Sequence, residues 1–206
     1  MARGIRPASS GGYVSAVREA HKQLTRERLL AGARAAFDSK GYAATTIDDV
    51  AGFAGVTRAT FYLHFDNKAE LLGELIAEVG RQTREINDRL AVVVARGDRA
   101  SIAGWLDEAF DFWETVRPSA MAEEEAAAIE PRIRQARTES FDRGVEAVMR
   151  GLASAGRFDP DGRRARGVLM YSQLQNVFHR WMRVGWEADR DEMLKVMTAM
   201  WMAALR

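Results

Sequence analysis

The chain has no cysteine among its 206 residues, so disulfide bridges, thiolate nucleophiles and cysteine-ligated zinc sites are excluded. Only four prolines interrupt a sequence that is rich in Ala, Leu, Arg and Glu, and this composition favours helices throughout. No apolar run approaches the roughly 20 residues of a membrane span, and the N-terminus carries no apolar signal segment. Together these absences predict a soluble, cytoplasmic protein built from helices alone.

Histidine is scarce as well, and His21, His64 and His179 lie far apart in the sequence. A carboxylate-bridged metal centre in a helical bundle needs paired Glu-x-x-His motifs, and the sequence contains none. It also lacks a nucleophile elbow, a phosphate-binding loop and the glycine pattern of dinucleotide binding. We therefore expect no metal, no cofactor and no catalytic residue, with a helical-bundle enzyme as the less favoured alternative.

Charge is unevenly distributed, although the formal net charge is only +1. Residues 1–24 contain four basic side chains against Glu19 alone, and they include the stretch "PASSGGY". Small and helix-breaking residues in such numbers predict a flexible basic arm over residues 1–24. A basic arm is compatible with contact to nucleic acid.

Capping residues and the spacing of apolar side chains predict nine helices and no strand. The first is expected to begin at Thr25 and to end at Gly41. The caps expected for the next three helices are Thr45 or Thr46, Thr57 and Asn67. The fourth helix meets no strong breaker before residue 95, which gives it a length of roughly 40 Å. The other helices are expected at 102–116, between Pro118 and Pro131, and at 131–154, 163–185 and 190–206.

Residues 47–64 fit the pattern of a helix-turn-helix. Gly55 stands where the tight turn requires a left-handed backbone, and Ala51 is small enough to let the two helices cross closely. The apolar side chains expected to hold the helices together are Val50, Ala54, Val56, Phe61 and Phe65. The dense aromatic stretch at 61–65 is thus explained in part as core.

Tyr62 and His64 belong to the same stretch but lie off its buried side and carry polar tips. Other hydrogen-bond donors share their side of the motif: Thr57, Arg58 and Thr60. Such a surface suits phosphate oxygens and base edges. The helix that follows Asn67 adds free backbone N–H groups and the positive end of its dipole, with Lys68 alongside. This clustering favours contact with nucleic acid over a surface that is merely solvated.

Residues 25–75, with the segments "TTIDDVA" and "AGVTRATFYLHFDNKAEL", resemble the DNA-binding domain of the tetracycline-repressor (TetR) family of bacterial regulators. The likeness covers the full length of that domain, whereas residues 76–206 resemble the family only in their helical layout. It implies an all-α fold, in which an N-terminal three-helix helix-turn-helix DNA-binding domain, residues 25–75, is joined by a long helix to a C-terminal helical ligand-binding and dimerisation domain, residues 76–206. We call these two parts the head and the body.

The resemblance also implies roles for individual residues of the head. Thr46, at the start of the second helix, would hold a phosphate. The residues that would face the major groove are Thr57, Arg58 and Thr60. Those that would clamp the DNA backbone are Tyr62, His64 and Lys68. His64 is a variant, because family members often have tyrosine at this position.

The body contains all five tryptophans and eight of the nine methionines. Such side chains suit an irregular apolar cavity, and they suit a plain core or a dimer interface equally well. Gln173 is unusual because it shares a helical face with apolar residues, where a buried amide needs a partner. By resemblance to the family, ligand enters between three helices of the body. The candidate ligand-binding residues are Trp105, Phe112, Trp113, Phe141, Met149, Met170, Gln173, Asn176, Val177 and Trp181.

The last helix carries an apolar stripe that is too large for a lone terminal helix to leave exposed. Pairing it with the preceding helix of each subunit gives an isologous four-helix interface. The candidate interface residues are Met193, Met197, Met200 and Trp201.

The sequence thus predicts a sequence-specific DNA-binding regulator of transcription, a repressor released from a palindromic operator by a small, largely apolar ligand. Its partners would be double-stranded operator DNA, the ligand and a second copy of the chain, with no membrane. The helix at 67–95 is expected to be the only rigid link between body and head. A helical interaction module that does not bind DNA is the main alternative.

Overall fold

Eight α-helices and no strand make up residues 10–206, the part of the chain that the computed structural model describes, with side chains described from residue 14 onward. The helices are α1 (Ser10–Ala44), α2 (Ile47–Ala54), α3 (Arg58–Tyr62), α4 (Lys68–Arg96), α5 (Arg99–Ile129), α6 (Pro131–Ser154), α7 (Pro160–Val184) and α8 (Arg190–Ala204). The prediction of an all-α fold is confirmed. No helix within residues 10–206 is long and apolar enough to cross a membrane.

Helix α1 begins well before the predicted start at Thr25. Residues 10–24 of the predicted flexible arm are helical, because no breaker occurs between Gly12 and Leu24. Residues 1–9 of that arm lie outside the described range. The side chains of residues 14–24 are exposed, so this part of α1 extends beyond the core of the head. Gly41 interrupts the helix, as predicted, with φ 74° and ψ 164°.

The caps predicted for the helix-turn-helix are confirmed. The Thr46 hydroxyl accepts a hydrogen bond from the backbone N–H of Asp49, whose carboxylate accepts one from the N–H of Thr46 at 2.9 Å. The side chains of Thr57 and Asn67 cap α3 and α4 in the same way. Gly55 takes the left-handed conformation, with φ 64° and ψ 37°. These local interactions determine where α2, α3 and α4 begin.

The core of the head is not formed by the head alone. Helices α1 to α4 supply most of its buried side chains, including Phe37, Phe61 and Phe65. The same cluster contains four residues of the body: Ala122, Ala126, Ala127 and Ile133. The carboxylate of Glu125 also accepts a hydrogen bond from the backbone N–H of Ala43 at 3.1 Å. The C-terminal half of α5 therefore packs against the head, and α4 is not the only rigid link.

Pro118 does not divide α5 into two helices, as the sequence had suggested. The helix runs from Arg99 to Ile129 with Pro118 inside it. A proline inside a helix costs about 3 kcal/mol, because it removes a hydrogen bond and crowds the preceding turn. Burial of Val116 on one side of the proline and of Ala122 and Ala126 on the other offsets this cost.

The core of the body lies between α4, α5, α6, α7 and α8. Trp105 of α5 stacks on Trp201 of α8, with ring centroids 5.6 Å apart. A second aromatic group contains Phe110, Trp113, Phe178, Trp181 and Trp186. Four of the five tryptophans are therefore buried within the subunit, and Trp186 is half-buried against them.

Gly32 marks the closest approach of α1 to α2 and provides a test of the packing of the head. A Cβ atom at this position would lie 2.7 Å from the backbone nitrogen of Ala54 and 2.9 Å from the carbonyl oxygen of Val50. Because both atoms belong to backbone, Gly32→Ala is expected to destabilise the protein by about 1–3 kcal/mol. Thermal and urea unfolding measure this loss.

The matched control is Gly52→Ala in α2, where a Cβ atom would meet nothing within 4 Å. This change is expected to raise stability by about 0.5–1 kcal/mol, because alanine is the better helix former. Equal stabilities of the two variants would contradict the described crossing of α1 and α2.

Candidate nucleic-acid interface and ligand cavity

The predicted DNA-contacting residues of α2 and α3 lie on one side of the head. Thr46, Thr57, Arg58 and Tyr62 are exposed, and Thr60 is half-buried. Apolar side chains between them, chiefly Phe61, face the core. Alternation of this kind follows from a short amphipathic helix with one buried side. Hydrogen bonds join Thr57 to Thr60 and Arg58 to Tyr62, so these four polar residues share the accessible face of α3, while Thr46 is exposed at the start of α2.

Arg58 is held in place by residues of both helices. Its guanidinium donates a hydrogen bond to the carboxylate of Asp48 at 2.7 Å and another to the hydroxyl of Tyr62 at 3.3 Å. The guanidinium carbon also lies 5.7 Å from the centre of the Tyr62 ring. Since the side chains of both Arg58 and Asp48 are more than half exposed, the ion pair is screened by water and contributes little to stability. It orients the guanidinium at the surface instead.

His64 lies behind this surface and is half-buried. Within residues 10–206 its Nδ1 atom is buried and has no hydrogen-bond partner. Burial, together with the positive charges of Arg26 and Lys22, lowers the pKa of the imidazole. His64 is therefore neutral near pH 7.

Arg26 fixes the segment that carries His64. Its guanidinium forms a two-contact ion pair with Glu74 of α4 and donates to the carbonyl oxygen of His64 at 2.9 Å. It also stacks over the Phe65 ring, 4.3 Å from the ring centre. One side chain of α1 thereby connects the end of the helix-turn-helix to α4.

Lys68 is more deeply engaged than a phosphate contact at the surface requires. Its ammonium donates hydrogen bonds to the carbonyl oxygens of Tyr42 and Thr45, at 2.5 and 2.8 Å, and lies 4.2 Å from the centre of the Tyr42 ring. Burial lowers the pKa of Lys68, although the charges of Glu130 and Glu125 oppose this effect. Two of its three N–H donors therefore bind the end of α1 and the loop that follows it.

A cavity of about 140 Å³ lies in the body between α4, α5, α6 and α7. Three of the predicted ligand-binding residues line it: Trp105, Phe112 and Trp113. Phe178, Leu174 and Val116 extend its apolar wall. The cavity lies in the part of the body where a ligand site is predicted, and its lining differs from the predicted set of residues.

Seven predicted ligand-binding residues do not line this cavity: Phe141, Met149, Met170, Gln173, Asn176, Val177 and Trp181. Met170 and Trp181 are buried in the core, and Asn176 is exposed on the surface of α7. The difference has a physical reason, since each side of α7 meets a different neighbour. Spacing along a helix shows which residues share a side, not which helix that side contacts.

Gln173 finds its partners on α8 rather than in the cavity. Its side-chain oxygen accepts a hydrogen bond from the indole N–H of Trp201 at 3.1 Å, and its nitrogen lies 3.0 Å from the sulfur of Met200. The amide is therefore satisfied within the subunit.

Two of the four predicted dimer residues also belong to the interior. Trp201 is fully buried and Met197 is 3% exposed within a single chain, because α8 turns these side chains toward α5. Met200 is 52% exposed, and Met193 is half-buried. The apolar stripe of α8 thus serves mainly the subunit's own core.

Sequence reasoning did not identify the polar residues of the cavity. Glu123, Arg137 and His179 face it from α5, α6 and α7, as does a hydrogen-bonded pair formed by Asn87 and Tyr171. Burial raises the pKa of Glu123, with the charge of Arg137 acting against this shift. The run "EEE" at 123–125 reads as a solvated acidic face, and nothing in its spacing indicates that one member is turned inward.

Relatives of known sequence match the head. Residues 29–75 match the family model of bacterial regulatory proteins, tetR family. The HTH-type transcriptional regulator TtgR of Pseudomonas putida is 44% identical over 69 residues, which cover 34% of this chain and 31% of TtgR. The chain therefore matches only about a third of the length of that relative.

Solved structures match the fold of nearly the whole chain. A protein of Mesorhizobium loti MAFF303099, described as a TetR-family transcriptional regulator, gives a TM-score of 0.71 at 20% identity, covering 89% of this chain and 96% of that one. SmeT, solved in complex with triclosan, gives a TM-score of 0.65 at 24% identity, covering 87% and 90%. The head therefore matches the tetR family of bacterial regulatory proteins, and nearly the whole chain shares the fold of these solved structures.

Proposed function

We propose that the chain is a sequence-specific DNA-binding regulator of transcription, a homodimeric, cytoplasmic repressor released from a palindromic operator by a small, largely apolar ligand. One observation carries this proposal: the exposed polar face of the helix-turn-helix, where Asp48 and Tyr62 hold the Arg58 guanidinium at the surface. TtgR, a transcriptional regulator by name, shares this part of the chain.

In the proposed complex, α3 lies in the major groove. Thr57, Arg58 and Thr60 meet base edges there, since a guanidinium pairs with guanine and hydroxyls accept or donate. The residues that hold phosphates on either side are Thr46, Tyr62, His64 and Lys68. The backbone N–H groups at the start of α4 add a favourable site for a phosphate.

Salt dependence tests whether the chain binds DNA in this way. The logarithm of affinity should fall linearly with the logarithm of salt concentration, with a slope of about −0.9 for each phosphate that is contacted. Fluorescence anisotropy with a labelled duplex, measured across a salt series, gives this slope. Binding that is absent or insensitive to salt would favour an interaction module instead.

The proposed phosphate contact of His64 makes DNA affinity depend on pH. In the free protein, burial and the charges of Arg26 and Lys22 lower the pKa of His64, whereas a phosphate stabilises the protonated ring. The pKa is then higher in the complex, so binding takes up a proton. Affinity should rise as pH falls from about 7.5 to 5.5, by up to roughly tenfold for each unit by which the two pKa values differ.

His64→Tyr is the matched control, because tyrosine retains a hydrogen-bond donor but does not titrate in this range. Affinities of the two proteins measured between about pH 5.5 and 7.5 separate the effect of His64 from that of the other two histidines, His21 and His179. An unchanged pH dependence in His64→Tyr would remove His64 from the clamp.

The proposed homodimer uses the outer faces of α7 and α8. Leu169 is 70% exposed on α7, while Val196 and Met200 are 48% and 52% exposed on α8. Gln173, one turn along from Leu169, touches Met200, so these apolar residues form one continuous surface. A second copy of the chain placed there gives an isologous four-helix interface and explains apolar side chains that a monomer would leave in water.

The double change Leu169→Glu and Met200→Glu should convert the dimer to a monomer without unfolding it, because both side chains are exposed. Sedimentation equilibrium at micromolar concentration and circular dichroism measure these two properties. Val92→Glu, at an apolar position of α4 that is 55% exposed, is the matched control and should remain dimeric. A wild-type protein that sediments as a monomer would exclude the interface.

The proposed ligand acts through the C-terminal half of α5 as well as through α4. Glu123 faces the cavity, while Glu125, about 200° further round the helix at 3.6 residues per turn, holds the backbone of Ala43. A ligand that displaces this segment moves the head and changes the separation of the two recognition helices. SmeT, which shares the fold, has been solved with triclosan bound, and this supports a small-molecule ligand for the present chain.

Titration of ligand with and without operator tests this coupling. The coupling free energy between two such binding sites is typically about 1–3 kcal/mol. By thermodynamic linkage, DNA must weaken ligand binding by the same factor by which the ligand weakens DNA binding. Hits from a thermal-shift screen supply the ligand. Equal ligand affinity in the two titrations would contradict control by ligand.

A further inference from the structure

An acidic and a basic side chain lie at the polar end of the cavity in the body, and no hydrogen bond joins them. Glu123 of α5 and Arg137 of α6 both line it. Among residues 10–206, neither ion pair nor hydrogen bond joins the Glu123 carboxylate to another side chain, and only the charge of Arg137 acts on it. The Glu123 side chain is half-buried, and a carboxylate that is partly removed from water is stabilised by a hydrogen bond. A ligand in the cavity can supply that hydrogen bond.

Arg137 is only partly satisfied. Its guanidinium lies 2.8 Å from Nε2 of His179. Because arginine can only donate, this nitrogen of His179 is the acceptor, and the imidazole is the neutral tautomer that carries its proton on Nδ1. Burial and the charge of Arg137 both lower the pKa of His179, in agreement with a neutral ring. The remaining N–H groups of Arg137 leave donors available at the same end of the cavity.

The charges of the residues that line this end cancel. Glu123 contributes one negative charge, Arg137 one positive charge and His179 none, while the neighbouring Glu124 is paired with Arg183. A charged ligand would place an uncompensated charge in a cavity of low polarity, which is costly. The site therefore favours an uncharged molecule.

The hydrogen-bonding pattern specifies the polar group of that molecule further. Glu123 requires a donor when it is ionised, and Arg137 requires an acceptor. A hydroxyl group supplies both from a single oxygen atom, and it can also accept a hydrogen bond if Glu123 is protonated. An ammonium group cannot accept, and a carboxylate cannot donate.

The other walls of the cavity are aromatic. Trp105, Phe112, Trp113 and Phe178 face it, and the rings of Trp113 and Phe178 lie 5.2 Å apart. The volume of about 140 Å³ is close to the roughly 150 Å³ of an engineered apolar cavity that binds benzene. Flat aromatic surfaces of this kind suit a molecule with one or two rings.

We propose that the cavity takes an uncharged aromatic molecule bearing a hydroxyl group, with the hydroxyl donating to Glu123 and accepting from Arg137. This inference rests on the proposed control by ligand and specifies the chemical class of that ligand. Glu123 and Arg137 are the residues that select it.

Three probes with one aromatic scaffold and different charges test this assignment: 1-naphthol, 1-naphthoate and 1-naphthylmethylammonium. Calorimetric titration of the full chain at about pH 7, without DNA, should give a naphthol affinity at least tenfold above that of either ion, since a hydrogen bond to a charged group contributes about a factor of ten or more. Tightest binding by the ammonium or by the carboxylate overturns the proposal, as does equal binding of all three or no binding by any.

Variants that change the charge of the site give the sharper result. Glu123→Gln leaves a net positive charge, so naphthoate should gain about tenfold while naphthol loses affinity. Arg137→Gln leaves a net negative charge, and the ammonium should gain instead. Loss of structure weakens all three probes alike and cannot produce opposite gains. Absence of both gains overturns the proposal.

Glu139→Gln is the matched control, because it removes an exposed carboxylate of α6, two residues from Arg137, that does not line the cavity. Its affinities for the three probes should change by less than about twofold.

DNA binding is measured separately with the same proteins. If naphthol binds as described but leaves operator affinity unchanged, the proposed control by ligand is wrong and the proposed ligand class stands. If DNA binding is intact but naphthol is not the tightest of the three probes, only the proposed ligand class is wrong.

Discussion

Arg58→Ala is expected to weaken operator binding by about 1–3 kcal/mol in each half-site, because it removes the guanidinium that we propose pairs with a base edge. A dimer carries two copies, so roughly twice this free energy is lost when the two half-sites contribute independently. Specificity should relax at one base position of each half-site. Anisotropy titrations against the operator and against single-base variants of it measure both effects.

Asp48→Asn provides the comparison for Arg58→Ala. The Asp48 carboxylate holds the Arg58 guanidinium at 2.7 Å in the free protein, and it places a negative charge beside the DNA. Its neutralisation should strengthen binding to all sequences while reducing discrimination among them, since the guanidinium is no longer oriented. If Arg58→Ala left both affinity and specificity unchanged, the assignment of the recognition surface would be wrong.

Trp201→Ala is expected to destabilise the subunit by about 3–5 kcal/mol, the usual cost of removing a large buried aromatic side chain. Trp201 is fully buried, stacks on Trp105 and donates its indole N–H to Gln173. Urea unfolding followed by circular dichroism measures this loss. The effect should be the same at low and high protein concentration, because the side chain packs within one chain.

A role of Trp201 in the dimer interface makes a different prediction. In that case, Trp201→Ala would lower the dimerisation constant and leave a stable monomer. Gln173→Leu separates the contributions further, since it removes the acceptor of the indole N–H and leaves that donor buried, at a cost of about 1–3 kcal/mol. A folded, monomeric Trp201→Ala protein would contradict the placement of α8.

The head could be predicted almost completely because its signals are local. Thr46, Thr57 and Asn67 each cap a helix through a hydrogen bond to a residue three positions away, and Gly55 makes its turn by itself. Such short-range interactions are visible in a sequence window of a few residues. The link from Arg26 to Glu74 was not predicted, because it spans 48 residues and neither partner is marked locally.

The helices of the body could also be predicted, but their partners could not. The apolar stripe on α8 indicates that one side of the helix is buried. It does not indicate whether α5 or a second chain buries that side. Trp201 and Met197 were expected to contact a partner chain, but α5 of the same chain buries them. The partner of Gln173 could not be predicted either, because its side-chain oxygen accepts a hydrogen bond from Trp201, which is 28 positions away.

At Pro118 and Glu123, tertiary packing overrides the structure that the local sequence favours. Proline favours a helix end, but here the buried residues on both sides of Pro118 keep α5 continuous. That continuity turns Glu123 into the cavity, while its neighbours in the acidic run contact the head or Arg183. Three identical residues therefore have three different surroundings, which composition cannot distinguish.

Selection of bound sequences from random duplex DNA tests the central claim most directly. We expect the wild-type chain to enrich a palindrome whose half-sites lie about one helical turn, or a multiple of it, apart. Arg58→Ala, selected in parallel, should lose preference at one position of each half-site and keep the others. Enrichment of no sequence by the wild-type chain, at a salt concentration where the protein is folded, would contradict the account.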